Sequence, residues 1–267
     1  MSTDTVSQNK LFSKKAVHLI LQGKGGVGKS LVASLLIQFL RDSGEPVSAI
    51  DTDPLNDSLS QVPSLEATRL DLLDEGTSFI NPIKFDSLIA DILNCPDRHF
   101  VVDNGTASFL PLFNYLVQSE VVGYLRENGR RVLIHMPIVA GTSYLDTVQC
   151  FDSLATTFGE GASLIPWLNP FFGALKDPFA FLKSSAFLQH QPVVPAVIEI
   201  PPFRNSLFAH AFDQMLYQKQ SIADAISSPH TQIMAKQRLT IYRRELYPIL
   251  EAALCCALNV RGEAAHS

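Results

Sequence analysis

The sequence predicts an α/β fold: a doubly wound, mostly parallel sheet flanked by helices. Three observations predict it. Short apolar runs alternate with stretches of helical period; the glycine-rich segment Gln22-Gly23-Lys24-Gly25-Gly26-Val27-Gly28-Lys29-Ser30 sits between one such strand and one such helix; and aspartates follow two later strands at their carboxyl ends.

The first strand is the apolar run Ala16 to Leu21, and the first helix is Leu31 to Leu40, whose apolar residues recur at helical spacing. Between them, glycines at 23, 25, 26 and 28 let the backbone take positive φ and turn its N–H groups inward. A polyphosphate would be held by these amides, from Gly23 through Val27 to Leu31, and by the positive end of the helix. Lys29 is placed to reach the β/γ-phosphates, and the Ser30 hydroxyl to join the coordination of Mg²⁺.

The second strand, Pro46 to Ile50, delivers Asp51-Thr52-Asp53-Pro54 at its carboxyl end. Ligands of open parallel sheets bind at that end, so these acids face the phosphates. Asp53 is the candidate for orienting water and approaching Mg²⁺, with a turn carboxylate before Pro54 as the plainer reading. Asp51 is expected to close a structural hydrogen bond. The third strand, His99 to Val102, ends in Asp103-Asn104-Gly105, an arrangement suited to a carboxylate that holds water of a Mg²⁺ shell.

Strand Arg131 to Ile138, helix Tyr144 to Phe158, strand Leu164 to Leu168 and strand Val193 to Ile200 continue the alternation. Asn169 at one strand end, and Pro201-Pro202-Phe203 after another, are candidates for lining an adenine pocket, or else a turn and a rigid diproline. No guanine-reading Asn-Lys-x-Asp motif is present, which favours ATP over GTP. From Pro229 to Leu254 the apolar residues Leu239, Tyr242, Leu246, Ile249, Leu250, Ala253 and Leu254 form a helical stripe, expected to be interrupted near Pro248. The opposite surface gathers Lys236, Arg238, Arg243 and Arg244, either a solvated face or a contact for nonspecific DNA.

Composition sets the remaining limits. With 267 residues, 46% hydrophobic and 18% charged, the chain can bury a sizeable core. A net charge of −5 means that the molecule as a whole is no electrostatic trap for nucleic acid. No apolar run approaches the roughly 20 residues that span a bilayer, and the expected location is cytoplasmic. Residues 1–15 read as a flexible polar tail, 16–258 as one ATPase domain and 259–267 as a polar tail. Cys95, Cys150, Cys255 and Cys256 have neither zinc nor disulfide spacing and read as buried small hydrophobes. No cluster of residues specifies a small-molecule substrate pocket.

Lys24, two residues into the loop, resembles the additional lysine of the deviant Walker A loop of the ParA/MinD superfamily of P-loop NTPases. That resemblance implies an ATP-dependent homodimer in which Lys24 reaches the partner's nucleotide and, with Lys29 and Asp53, serves hydrolysis. It also implies an Asp53 role at the attacking water and an Asn169, Pro201 and Pro202 role at the base. The superfamily's partition ATPases usually follow the third-strand aspartate with a proline pair; here Asn104-Gly105-Thr106-Ala107 follows, and no cysteine for an iron–sulfur cluster stands there. Taken in order, the P-loop, Ile50-Asp51-Thr52-Asp53-Pro54, Val102-Asp103-Asn104-Gly105, Trp167-Leu168-Asn169-Pro170 and Lys236-Gln237-Arg238-Leu239 resemble the TraL-type proteins of conjugative plasmids. This implies a partner complex in conjugal DNA transfer or plasmid maintenance.

Overall fold

The computed structural model describes residues 12, 14–56, 58–172 and 180–259. Among them, seven strands form one sheet in the order β3-β2-β4-β1-β5-β6-β7, and every strand pair is parallel. The strands are β1 (Ala16–Ile20), β2 (Val47–Asp51), β3 (Thr68–Arg69), β4 (His99–Asp103), β5 (Arg131–Val139), β6 (Ser163–Asn169) and β7 (Ile198–Glu199). Interleaved with them lie α1 (Lys29–Asp42), α2 (Phe85–Asn94), α3 (Thr106–Gln118), α4 (Val121–Glu127), α5 (Tyr144–Phe158), α6 (Ser185–His190), α7 (Ser206–Tyr217), α8 (Ile222–Ser227) and α9 (Ile233–Asn259). β1 is central, and the chain winds outward from it in both directions. The crevice at its carboxyl end is therefore where such a sheet accepts a ligand.

Helices cover both faces, which is why the central strands are apolar at nearly every position. Ala16, Ile20, Leu133, Ile165 and Trp167 share a core with α1 and α9. Val17, Leu19, Ile134 and Leu164 share the other with α2 to α5. Register aligns the carboxyl ends: Asp103 pairs with Ile20 on one side and Asp51 on the other, and Asn169 pairs with Val139.

Four polar side chains run across adjacent strands inside this apolar sheet. Trp167 donates its indole N–H to His135 Nδ1 at 2.9 Å, His135 Nε2 lies 2.9 Å from His18 Nδ1, and His18 Nε2 lies 3.0 Å from His99 Nδ1. The indole is a donor only, so it fixes the direction of the whole chain of bonds. His135 must carry its proton on Nε2, hence so must His18, and His99 Nδ1 accepts, as it also does from the Ala16 N–H at 3.3 Å. Burial holds His135 at about 3 and His99 at about 4.

Several sequence expectations change in the folded chain. The run Val193 to Ile200 yields only Ile198–Glu199 as strand, preceded by a 3₁₀ turn over Gln191–Val193; Pro192 and Pro195 lack the N–H groups a ladder needs. The carboxyl-terminal helix is not interrupted at Pro248 but runs through it. Pro248 and Arg244 both face solvent, so water can serve the carbonyl that the missing N–H leaves, while Leu246 and Leu250 stay buried. Of the expected tail at 1–15, only Phe12, Lys14 and Lys15 are described. Phe12 is 3% exposed, its N–H donates to Glu45 Oε1 at 2.9 Å, and Lys15 pairs with the other oxygen of that buried carboxylate. The packed body therefore begins upstream of β1. The expected tail 259–267 lies outside the described residues apart from Asn259, the last residue of α9. None of the cysteines is fully buried, and Cys256 is exposed.

Candidate nucleotide site

The loop expected to bind phosphate leaves β1 and enters α1 with Gly28 as N-cap at φ 95° and no side-chain cap on the helix. The first-turn N–H groups are thus left for an anion. Positive φ is confined to Gly26 and Gly28 within the loop. Gly23 and Gly25 serve close approach instead: a Cβ would lie 3.2 Å from the Phe109 ring at the first and 3.3 Å from Thr106 Oγ1 at the second.

Lys29 is buried across this cradle. Its ammonium donates to the Lys24 carbonyl and to Thr106 Oγ1, each at 3.1 Å. Burial lowers its pKa, and Asp103 and Asp53 oppose that shift. The oxygens now serving Lys29 occupy the role that phosphate oxygens would take.

The acidic residues divide into different tasks. Asp51 accepts the N–H groups of Asp53, Leu59 and Ser60 at 3.0, 3.2 and 3.3 Å, so it shapes the turn after β2. Asp53 accepts from Leu55 N and Asn56 N at 2.9 and 3.1 Å, the geometry of a turn carboxylate, while its side chain packs over Gly105. Asp103, like Asp51, is buried, but among the described residues it accepts no turn N–H groups. Ser30 hydrogen-bonds to it, its Oδ1 has no partner among the described residues, and burial pushes its carboxyl up to about 7, with Asp51 raising it further against Ser30 and Lys29. A buried, half-satisfied carboxylate next to a hydroxyl fits a hydrated divalent cation, which would both supply donors and favour ionisation.

Lys24 pairs with Asp146 at 2.8 Å, both side chains about half exposed. Asn169 is wholly buried: its amide donates to the Val27 carbonyl at 3.0 Å, and its Oδ1 accepts from Phe171 N at 3.1 Å. Both ends of the amide thus brace the phosphate loop and the following turn rather than opening toward a base. Pro201 and Pro202 lie just beyond β7, and Phe203 stacks on Phe171 with centroids 4.8 Å apart.

Residues 18–135 match the family described as the CobQ/CobB/MinD/ParA nucleotide binding domain. Two proteins named TraL, both from Escherichia coli, are 36% and 32% identical to the chain over 240 and 238 residues, covering 89% of it and 98% of each of them. The chain belongs to the TraL family. Its nucleotide-binding domain is of the ParA/MinD type, and the fold agrees with the cell division ATPase MinD of Pyrococcus furiosus, TM-score 0.51 at 18% identity over 89% of this chain and 98% of that one.

Within this TraL-family chain, the sequence reading gave no role to Thr106, Asn104 or Gln22 and did not single out Asp146. Asn104 Oδ1 accepts from Thr52 and Ser108 at 3.0 and 2.9 Å and so ties the ends of β2 and β4 together. Position alone could have flagged Asn104 and Thr106, since they follow the strand-end aspartate; Asp146 lies 122 residues beyond Lys24, and no local pattern links them. On α9, Arg243 is paired with Asp42 at 3.6 Å and lies over the Tyr247 ring, so the basic stripe is partly neutralised. No helix of the described residues is long and apolar enough to cross a membrane.

Proposed function

We propose that the chain is a Mg²⁺-dependent ATPase that works as a nucleotide-switched homodimer, positioning a partner complex in conjugal DNA transfer or plasmid maintenance. The observation that carries this reading is the convergence, at the carboxyl ends of β1 and β4, of an uncapped helix start, the Lys29 ammonium and the Ser30–Asp103 pair with an orphaned carboxylate oxygen. Loop amides and Lys29 bind the phosphates of ATP, and Ser30 and Asp103 hold the cation, whose charge offsets that developing on the transferred phosphoryl group. Asp53 serves the water and the cation through Oδ2, which among the described residues has only the Asn56 side-chain amide at 3.4 Å, while Oδ1 keeps the turn N–H groups. Pro201 and Pro202 border the base.

Lys24 supports the dimer reading because its half-exposed ammonium pairs with Asp146 at the start of α5, whereas the Lys29 ammonium is turned to the Lys24 carbonyl and Thr106. A cation there serves a nucleotide held by a second copy. The deciding experiment is a light-scattering mass measurement with and without ATP and Mg²⁺, on the native chain and on Lys24→Ala. The expected result is an ATP-dependent doubling of mass that the variant loses while its melting is unchanged. A native chain that binds ATP and stays monomeric overturns the dimer, and one that binds no adenine nucleotide overturns the function. A nonspecific-DNA role for the dimer predicts salt-sensitive, ATP-dependent retention on DNA that Arg244→Glu weakens.

A further inference from the structure

A cleft of about 520 Å³ opens between α3 and α5 on the outer side of the phosphate loop. It shares Gly23 and Lys24 with the loop, but Ser30, Asp53, Asp103 and Asn169 do not line it. Its volume falls in the roughly 300–1,000 Å³ range of small-molecule sites. One wall is the paired rings of Phe109 and Phe113, with centroids 6.2 Å apart, and Leu110 at the rim is 64% exposed. Gln22 borders the cleft from below: it is wholly buried, donates its amide to the Pro137 and Thr147 carbonyls at 3.2 and 3.3 Å, and leaves Oε1 without a partner among the described residues.

The polar groups at the mouth define the other half of a ligand. The Gly23 N–H has the Cys150 sulfur as acceptor at 3.4 Å, a weak partner. Beside it the Lys24 ammonium binds a carboxylate, that of Asp146, at 2.8 Å. Asp146 is half exposed and loses little by returning to water, so it marks where a carboxylate from elsewhere can sit. The aromatic rings at the side suit an aromatic body that stacks on them or meets them edge-on.

We propose that this cleft is a binding site for a small aromatic carboxylate, its ring against Phe109 and Phe113 and its carboxylate on Lys24 and the Gly23 N–H in place of Asp146. Occupancy holds Lys24 on its own subunit. If Lys24 acts on a second copy's nucleotide, as proposed above, the ligand therefore opposes ATP-dependent dimerisation; binding itself does not depend on that reading.

The test uses the nucleotide-free full-length chain, titrated with 3-phenylpropanoate and with the uncharged 3-phenylpropanamide, followed by calorimetry and ligand-observed NMR. The acid is expected to bind more tightly than the amide by up to about fivefold, the upper range for an exposed ion pair. Asp146→Asn, at an exposed position, is expected to tighten the acid and leave the amide unchanged. Ser153→Trp, which fills the cleft from the exposed side of α5, is expected to abolish both. Equal binding of acid and amide, no binding of either, or an Asp146→Asn variant that binds the acid no better overturns the proposal. Because no nucleotide is present, these outcomes are separate from failure of the ATPase or dimer readings, which the mass measurement reads.

Discussion

Gly105 faces Asp53 so closely that a Cβ at Gly105 would lie 2.4 Å from Asp53 Cγ and 2.7 Å from Asp53 Oδ2. The turn after β4 and the turn after β2 are thereby packed against one another with no room for a side chain. The backbone at Gly105 is extended, φ −65° and ψ 160°, so the requirement is steric rather than conformational. Gly105→Ala should cost about 1–3 kcal/mol in urea unfolding and, by moving Asp53, lower ATP turnover. Unchanged stability and turnover would show that the two turns move apart freely.

Asp103 gives the nucleotide-free chain a distinct pH dependence. Its carboxyl is raised from 3.8 to about 7, so between those values the native state keeps a proton that the unfolded chain has released. Its contribution to stability is fully present below about 4 and is lost as pH rises through about 7. Asp103→Asn should flatten that decline and stabilise the nucleotide-free chain at pH 8, while removing the extra stabilisation that Mg²⁺ adds to ATP. Thermal melts across pH, with and without MgATP, measure both effects.

The imidazole row acts in the opposite sense. His99 and His135 lie at about 4 and about 3, below the ordinary 6.5, so as pH falls below 6.5 the unfolded chain takes up protons first. Stability from these groups is present above 6.5 and declines toward pH 4. Nitrogen-15 NMR should find the proton on Nε2 in His18, His99 and His135 alike. A proton on Nδ1 of His18 would contradict the direction set by Trp167.

Asn169→Ala would strip partners from the Val27 carbonyl and the Phe171 N–H, at a cost of about 1–3 kcal/mol for buried groups left unsatisfied. Because Val27 lies inside the phosphate loop, nucleotide affinity should fall as well. Asn169→Asp keeps the acceptor for Phe171 but not the donor for Val27, so it should also lose affinity. Isothermal titration with ATP distinguishes this bracing role from a base contact, which would discriminate ATP from other nucleotides.

Much of the fold was legible because its signals are local. β1, the phosphate loop and α1 are contiguous, and the apolar run, the glycines and the helical period each point to the same element. Helix α5 begins and ends at the expected Tyr144 and Phe158, since its periodicity and the Gly159 beyond it agree. Strand β7 was over-read because apolar composition says nothing about prolines removing ladder donors. The continuity of α9 through Pro248 depends on which side of the helix meets water.

By itself the sequence determined the family, the parallel sheet and the candidate phosphate cradle, because strand, glycine-rich turn and helix are encoded in one uninterrupted stretch. Only the tertiary structure decided how the polar groups are spent. Asn169 turns to Val27, Lys24 to Asp146 and three histidines to one another, each across more than a hundred residues or, for His18 and His99, 81. Such pairings follow from strand order and from the cost of burying a polar group without a partner, and neither is visible in residue type or spacing.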